Sequence, residues 1–148
     1  MQNYIINYSD ILIIVVGILT YSEQKLLNKI KNEIKKAKLS KTLYVIHNLK
    51  TYTTIKQVED YIKDILLKNA TFDLQKQQKI STKINDNKGE IYYEKNNDIS
   101  SYHLIFANDN SEAGDYYNKY SLEFIENTYK FLKDFGSFDV IETVKRSF

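Results

Sequence analysis

Two histidines, His47 and His103, are the only imidazoles in 148 residues, and cysteine is absent. Disulfide frameworks, thiolate zinc sites and cysteine nucleophiles are therefore excluded. The separation of 56 positions between the histidines argues against a multi-histidine metal centre, although carboxylates alone can hold a hard cation. Each histidine falls in an apolar run, TLYVIH (42–47) or YHLIFA (102–107), the setting of a core or interface imidazole. Serines are plentiful, but no Gly-x-Ser-x-Gly elbow exists to present one as a nucleophile. The acidic neighbours Glu59/Asp60 and Asp109/Glu112 have no spacing that selects acid–base chemistry over solvation. Gly17, Gly89, Gly114 and Gly136 never reach the Gly-x-x-x-x-Gly-Lys-Ser/Thr spacing whose backbone cradles phosphates. The reactive residue types thus predict no enzyme, and no cofactor or metal is expected.

The composition narrows the class further. With 20 Lys, one Arg and 19 acidic residues, the net charge of +2 is too small for a general nucleic-acid glove. A chain of this length suits one domain with a real core. At 43% hydrophobic and 14% aromatic residues it can repay the entropy of ordering, which disfavours disorder. Asn (14), Lys (20), Ile (19) and Tyr (13) are inflated. That bias looks like the codon usage of an A/T-rich genome and carries no chemistry.

The apolar run ILIIVVGIL (11–19) is too short for a membrane span, which needs about 20 apolar residues. Its Ile and Val content fits a strand buried on both faces. No Lys or Arg precedes Lys25, so a secretory signal is not expected and an intracellular location is. A small protein anchored in lipid by its first 20 residues is the competing reading.

Regular alternation follows. Thr20-x-x-Glu23 has capping-box spacing and opens a helix with Leu26, Leu27, Ile30, Ile34 and Ala37 on one face. Thr42–His47 is a second strand, ending in Asn48-Leu49-Lys50-Thr51. Thr54-x-x-Gln57 opens a second helix that buries Val58, Tyr61, Ile62, Ile65 and Leu66. Tyr102–Ala107 is a third strand, ending in Asn108-Asp109-Asn110. A long aromatic helix over about 115–135 is expected to bury Tyr117, Tyr120, Phe124, Ile125, Thr128, Phe131 and Phe135, with Gly136 as its C-terminal cap. The order β-α-β-α-insertion-β-α predicts an α/β fold of parallel strands with crossover helices.

Residues 70–101 interrupt this order with Lys76, Lys79, Lys83, Lys88 and Lys95. A hairpin of 79–84 and 90–94 around Asn85-Asp86-Asn87-Lys88-Gly89 is expected, either as a solvated insertion or as a binding arm. The seven lysines of 25–41 read as a wet helix face or a contact for an acidic surface. In each of Tyr92-Tyr93 and Tyr116-Tyr117, at most one ring points inward, and the other is an interface candidate.

DILIIVVGILTYSEQKLL, TLYVIHNLK and HLIFANDNSEAGDYYN together resemble the second half of a P-loop GTPase domain, of Ras-like or dynamin-like type. The likeness is nearest to large protist GTPases in which an His-Asn-Leu-Lys run replaces Asn-Lys-x-Asp. It covers the chain outside 70–101 and implies a single half domain over 1–148. The resemblance places Asn48 at the Asn of the guanine-reading motif, Leu49 at its Lys and Thr51 at its Asp. A threonine cannot accept the two charge-assisted hydrogen bonds that the motif's Asp takes. Asn48, Lys50 and Asn108 remain the residues that face a nucleotide if GTP or GDP binds; otherwise they cap the loops after their strands. Without a phosphate clamp, hydrolysis is not expected.

The resemblance therefore implies a non-catalytic, GTPase-like interaction or structural subunit of a larger protein assembly. The alternative is a GTP-binding domain completed by an N-terminal half. In the family another strand lies beside the one matched by Ile11–Gly17. Here Ile11, Ile13, Val15 and Gly17 would line an uncharged open edge, expected to pair with another protein, with a second copy, or with 1–8 folded back.

Overall fold

The structure, a computed structural model, describes residues 11–36, 41–68, 73–77, 88–96 and 99–134. β-Branched residues dominate strand β1 (Ile11–Val16). Helix α1 (Tyr21–Lys36) follows at the predicted capping box: Thr20 Oγ1 accepts from Glu23 N at 3.3 Å and Glu23 Oε2 accepts from Thr20 N at 2.9 Å. Strand β2 (Lys41–Leu49) leads to helix α2 (Ile55–Tyr61), whose Thr54/Gln57 capping box is complete. The last turn of α2 widens into a π turn, Ile62–Leu66, closed by Leu67 N to Ile62 O at 2.8 Å. The widened turn brings Tyr61, Ile62 and Leu66 into the core together, with Ile65 partly buried.

Strands β3 (Gln75–Lys76), β4 (Ile91–Asn96) and β5 (Ile99–Ala107) and helix α3 (Glu112–Asp134) complete the described chain. The sheet order is β1-β2-β5-β4-β3. β1, β2 and β5 are mutually parallel neighbours, as the alternation predicts. β4 runs antiparallel to β5, and β3 antiparallel to β4, so the sheet is mixed and the insertion widens it. The expected strand at 79–84 lies outside the described residues; within them 91–96 pairs with β5 on one side and, at Tyr92 and Tyr93, with β3 on the other. Gly136 and Phe135 also lie outside them. Among the described residues no helix is long and apolar enough to cross a membrane, and Ile11–Val16 is a strand paired with β2.

Alternation sorts the strands onto two faces. Leu12, Val16, Leu43, Val45, Leu49 and Ile105 pack with Leu27, Ile30 and Ile34 of α1 and Val58, Tyr61, Ile62 and Leu66 of α2. On the other face Ile11, Tyr44, Ile91 and Leu104 pack with Tyr120, Phe124 and Ile125 of α3. Tyr92 and Tyr117 are the buried members of their pairs, as expected.

β1 differs from expectation on one face. Ile13 and Val15 are 52% and 61% exposed, so the strand is not buried on both sides. The reason is geometric: α1 and α2 cover the first face, and the described part of α3 packs over β2, β4 and β5 rather than over these two residues. Leu26, placed on the buried face of α1 by periodicity, is 42% exposed.

Candidate functional site

The two histidines meet. His47 pairs in register with Val16 of β1 and Ile105 of β5, and His103 pairs with Val45, so the imidazoles are diagonal neighbours on the first face. His47 Nε2 lies 2.8 Å from His103 Nδ1, with the rings stacked at 5.1 Å and 27°. His47 Nδ1 lies 2.9 Å from the hydroxyl of Tyr61, the last residue of α2 before the π turn. That hydroxyl accepts the backbone N–H of Leu19, in the loop between β1 and α1, at 3.2 Å.

The donors run in one direction. Leu19 N–H can only donate, so the Tyr61 oxygen accepts there and its single proton goes to His47 Nδ1. Neutral His47 then carries its proton on Nε2 and donates to His103 Nδ1. This assignment of tautomers starts from the fixed Leu19 donor, which leaves the Tyr61 proton for His47 Nδ1.

Burial sets the charge state. His47 and His103 are fully buried. Desolvation holds His47 down to about 4, against an opposing pull from the Glu23 carboxylate. His103 is held well below the ordinary range by burial, with His47 and Lys31 adding to the effect. Burial also pushes the Tyr61 hydroxyl up, so at neutral pH all three groups are uncharged. Glu23 is lowered first by the Thr20 N–H and also by Gly17 N–H, which donates to Glu23 Oε1 at 3.2 Å. Glu23 and Tyr61 thus hold the 17–20 loop from two sides. A buried ion pair, Lys31 of α1 with Glu94 of β4, lies toward the other end of the chain, and Glu94 Oε2 accepts Asp73 N–H at 2.7 Å.

The carboxyl ends of β2 and β5 hold the residues matched to the guanine-reading motif. Asn48 is exposed on the second face beside its register partner Phe106, and Lys50 is exposed just past the strand. Asn108 donates from Nδ2 to the Lys50 carbonyl at 3.2 Å and accepts Asn110 N–H on Oδ1 at 3.1 Å. Both ends of its amide are therefore committed to joining and turning the two loops. Ser111 caps α3, accepting Gly114 N–H at 3.1 Å and donating to the Asn108 carbonyl at 2.6 Å. Asn118 grips Ala107 with both ends of its amide, at 2.8 and 3.0 Å.

Tyr61 in the histidine chain, the Lys31–Glu94 pair and the Asn118 grip carry no sequence signal beyond a polar residue on an amphipathic element. Among the described residues, no cluster of three or more His, Asp or Glu is arranged to hold a metal. No protein-family model, no curated protein and no solved structure matches the chain.

Proposed function

We propose that this chain is a non-catalytic interaction subunit, GTPase-like in the order of its strands and helices, that joins a larger assembly through β1. The observation that carries the reading is the open side of β1. Among the described residues β1 pairs only with β2, and Ile13 and Val15 stand 52% and 61% exposed beside that edge. Ile18 and Tyr21 extend the exposed apolar surface into the start of α1. An uncharged edge of this kind is a template for strand addition. The partner is a second copy: antiparallel pairing of β1 with itself places no like charges opposite one another. The parallel order β1-β2-β5, with α1 and α2 on one face and Tyr120, Phe124 and Ile125 of α3 on the other, supports the GTPase-like part of the reading.

Sedimentation velocity across a range of concentrations tests it. The expected result is a self-associating chain that Ile13→Lys or Val15→Lys converts to a folded monomer, because both side chains lie outside the core; its urea midpoint no longer depends on protein concentration. A monomer at every concentration, with fast-exchanging amides over 11–16, would overturn the reading. Thermal shift with GTP and GDP addresses the alternative of a nucleotide-binding domain completed by another segment. Ligand at 100 times its Kd stabilises by about 2.7 kcal/mol, and no such shift is expected here.

A further inference from the structure

The buried chain from Leu19 to His103 crosses the first face of the sheet and ends on the loop that joins β1 to α1. Its members sit on the β1–α1 loop, α2, β2 and β5, and Leu19 N–H fixes the direction at its start. Such a chain has room for one more proton. An added proton makes His47 a donor at both ring nitrogens, toward Tyr61 and toward His103. The Tyr61 oxygen then faces two N–H donors, from His47 and from Leu19, and its own proton has lost its acceptor. The stress of acidification therefore falls on Tyr61 and on the Leu19 contact. His103 remains an acceptor at Nδ1 and tolerates the change.

We propose that Leu19–Tyr61–His47–His103 is an acid-sensitive latch on the 17–20 loop, closed while the chain is neutral and released when His47 takes up a proton. The surrounding groups favour that location for the charge. From α1, Glu23 attracts a proton on His47 while Lys31 repels one on His103. Tyr52 packs edge-on against Tyr61, and Tyr92 of β4 stands opposite His103 in register. Glu94 of β4 is bound to Lys31. Once the latch opens, the Glu23 contacts to Gly17 and Thr20 and the Gln24 N–H bond to the Thr20 carbonyl still tie the loop to α1. The proposal does not depend on whether β1 pairs with a second copy.

The test is amide hydrogen exchange of the full chain at pH 7.5 and 4.5, expressed as protection factors, beside nitrogen NMR of the imidazoles. At pH 7.5 His47 is expected to be protonated on Nε2 alone, and at pH 4.5 increasingly on both nitrogens. Leu19 protection is expected to fall at least tenfold more than that of Ile105 in the sheet centre. Tyr61→Phe, which removes only the hydroxyl, should show weak Leu19 protection at both pH values with no selective change between them. His47 bearing its proton on Nδ1 at pH 7.5 would overturn the proposal. So would Leu19 protection that is flat in the parent chain or that falls only in step with Ile105. A selective pH effect that survives in Tyr61→Phe would overturn it as well.

Discussion

His47 and His103, 56 residues apart in sequence, are joined nitrogen to nitrogen at 2.8 Å on adjacent parallel strands. The register of β2 and β5 offsets them by two residues on one face, which is the diagonal reach of two rings. The pair is hydrogen-bonded at both ends of His47, so its burial leaves that imidazole satisfied as long as it stays neutral.

Stability should fall in acid for this reason. The folded His47 titrates at about 4, whereas an unfolded imidazole titrates near 6.5. Between those values the unfolded chain binds more protons, so stability is unaffected above about pH 6.5 and drops as pH falls toward 4. The loss attributable to His47 is about 3 kcal/mol. Urea midpoints at pH 7.5 and 4.5 check it, and an unchanged midpoint would contradict the burial argument.

Glycine at position 114 is required by close approach. A Cβ there would lie 2.0 Å from the Asn108 carbonyl oxygen, a backbone atom that cannot swing away. Gly114→Ala should cost about 1–3 kcal/mol, read as a lowered urea midpoint. At Gly17 an added Cβ meets nothing within 4 Å, so Gly17→Ala should be near neutral.

The Lys31–Glu94 pair is 13% and 9% exposed at its side chains, so breaking it strands a charge in a poorly hydrated site. Lys31→Met should cost about 3 kcal/mol. Adding Glu94→Met should recover part of that loss, though not all, because Asp73 N–H then loses its acceptor. A double-mutant cycle by denaturant titration measures the coupling, and additive losses would count against a buried pair.

Asn118 holds the Ala107 N–H and carbonyl at the end of β5. Asn118→Ala should destabilise by about 1–3 kcal/mol. Amide exchange should quicken at Ala107 more than at Leu104, whose strand pairing does not involve Asn118.

Both capping boxes, the three parallel strands and the buried stripe of α2 were legible because each depends on contacts within a few residues or on a local period. Thr20 and Glu23, or Thr54 and Gln57, meet wherever the chain turns helical. The β4–β5 pairing was less legible, since 91–96 has no local feature that chooses 99–104 as a neighbour. The histidines could be placed in strands but not beside each other, because a shift of one residue in the register of β2 and β5 would turn one ring to the opposite face. Asn108 carried two readings, ligand contact or loop cap, and only the approach of the Lys50 carbonyl commits its amide to the loop. β1 shows the same division. Its apolar, uncharged sequence made it a strand and suggested an open edge. Which of its faces the helices cover, leaving Ile13 and Val15 in solvent, was decided by where α1, α2 and α3 pack on the assembled sheet.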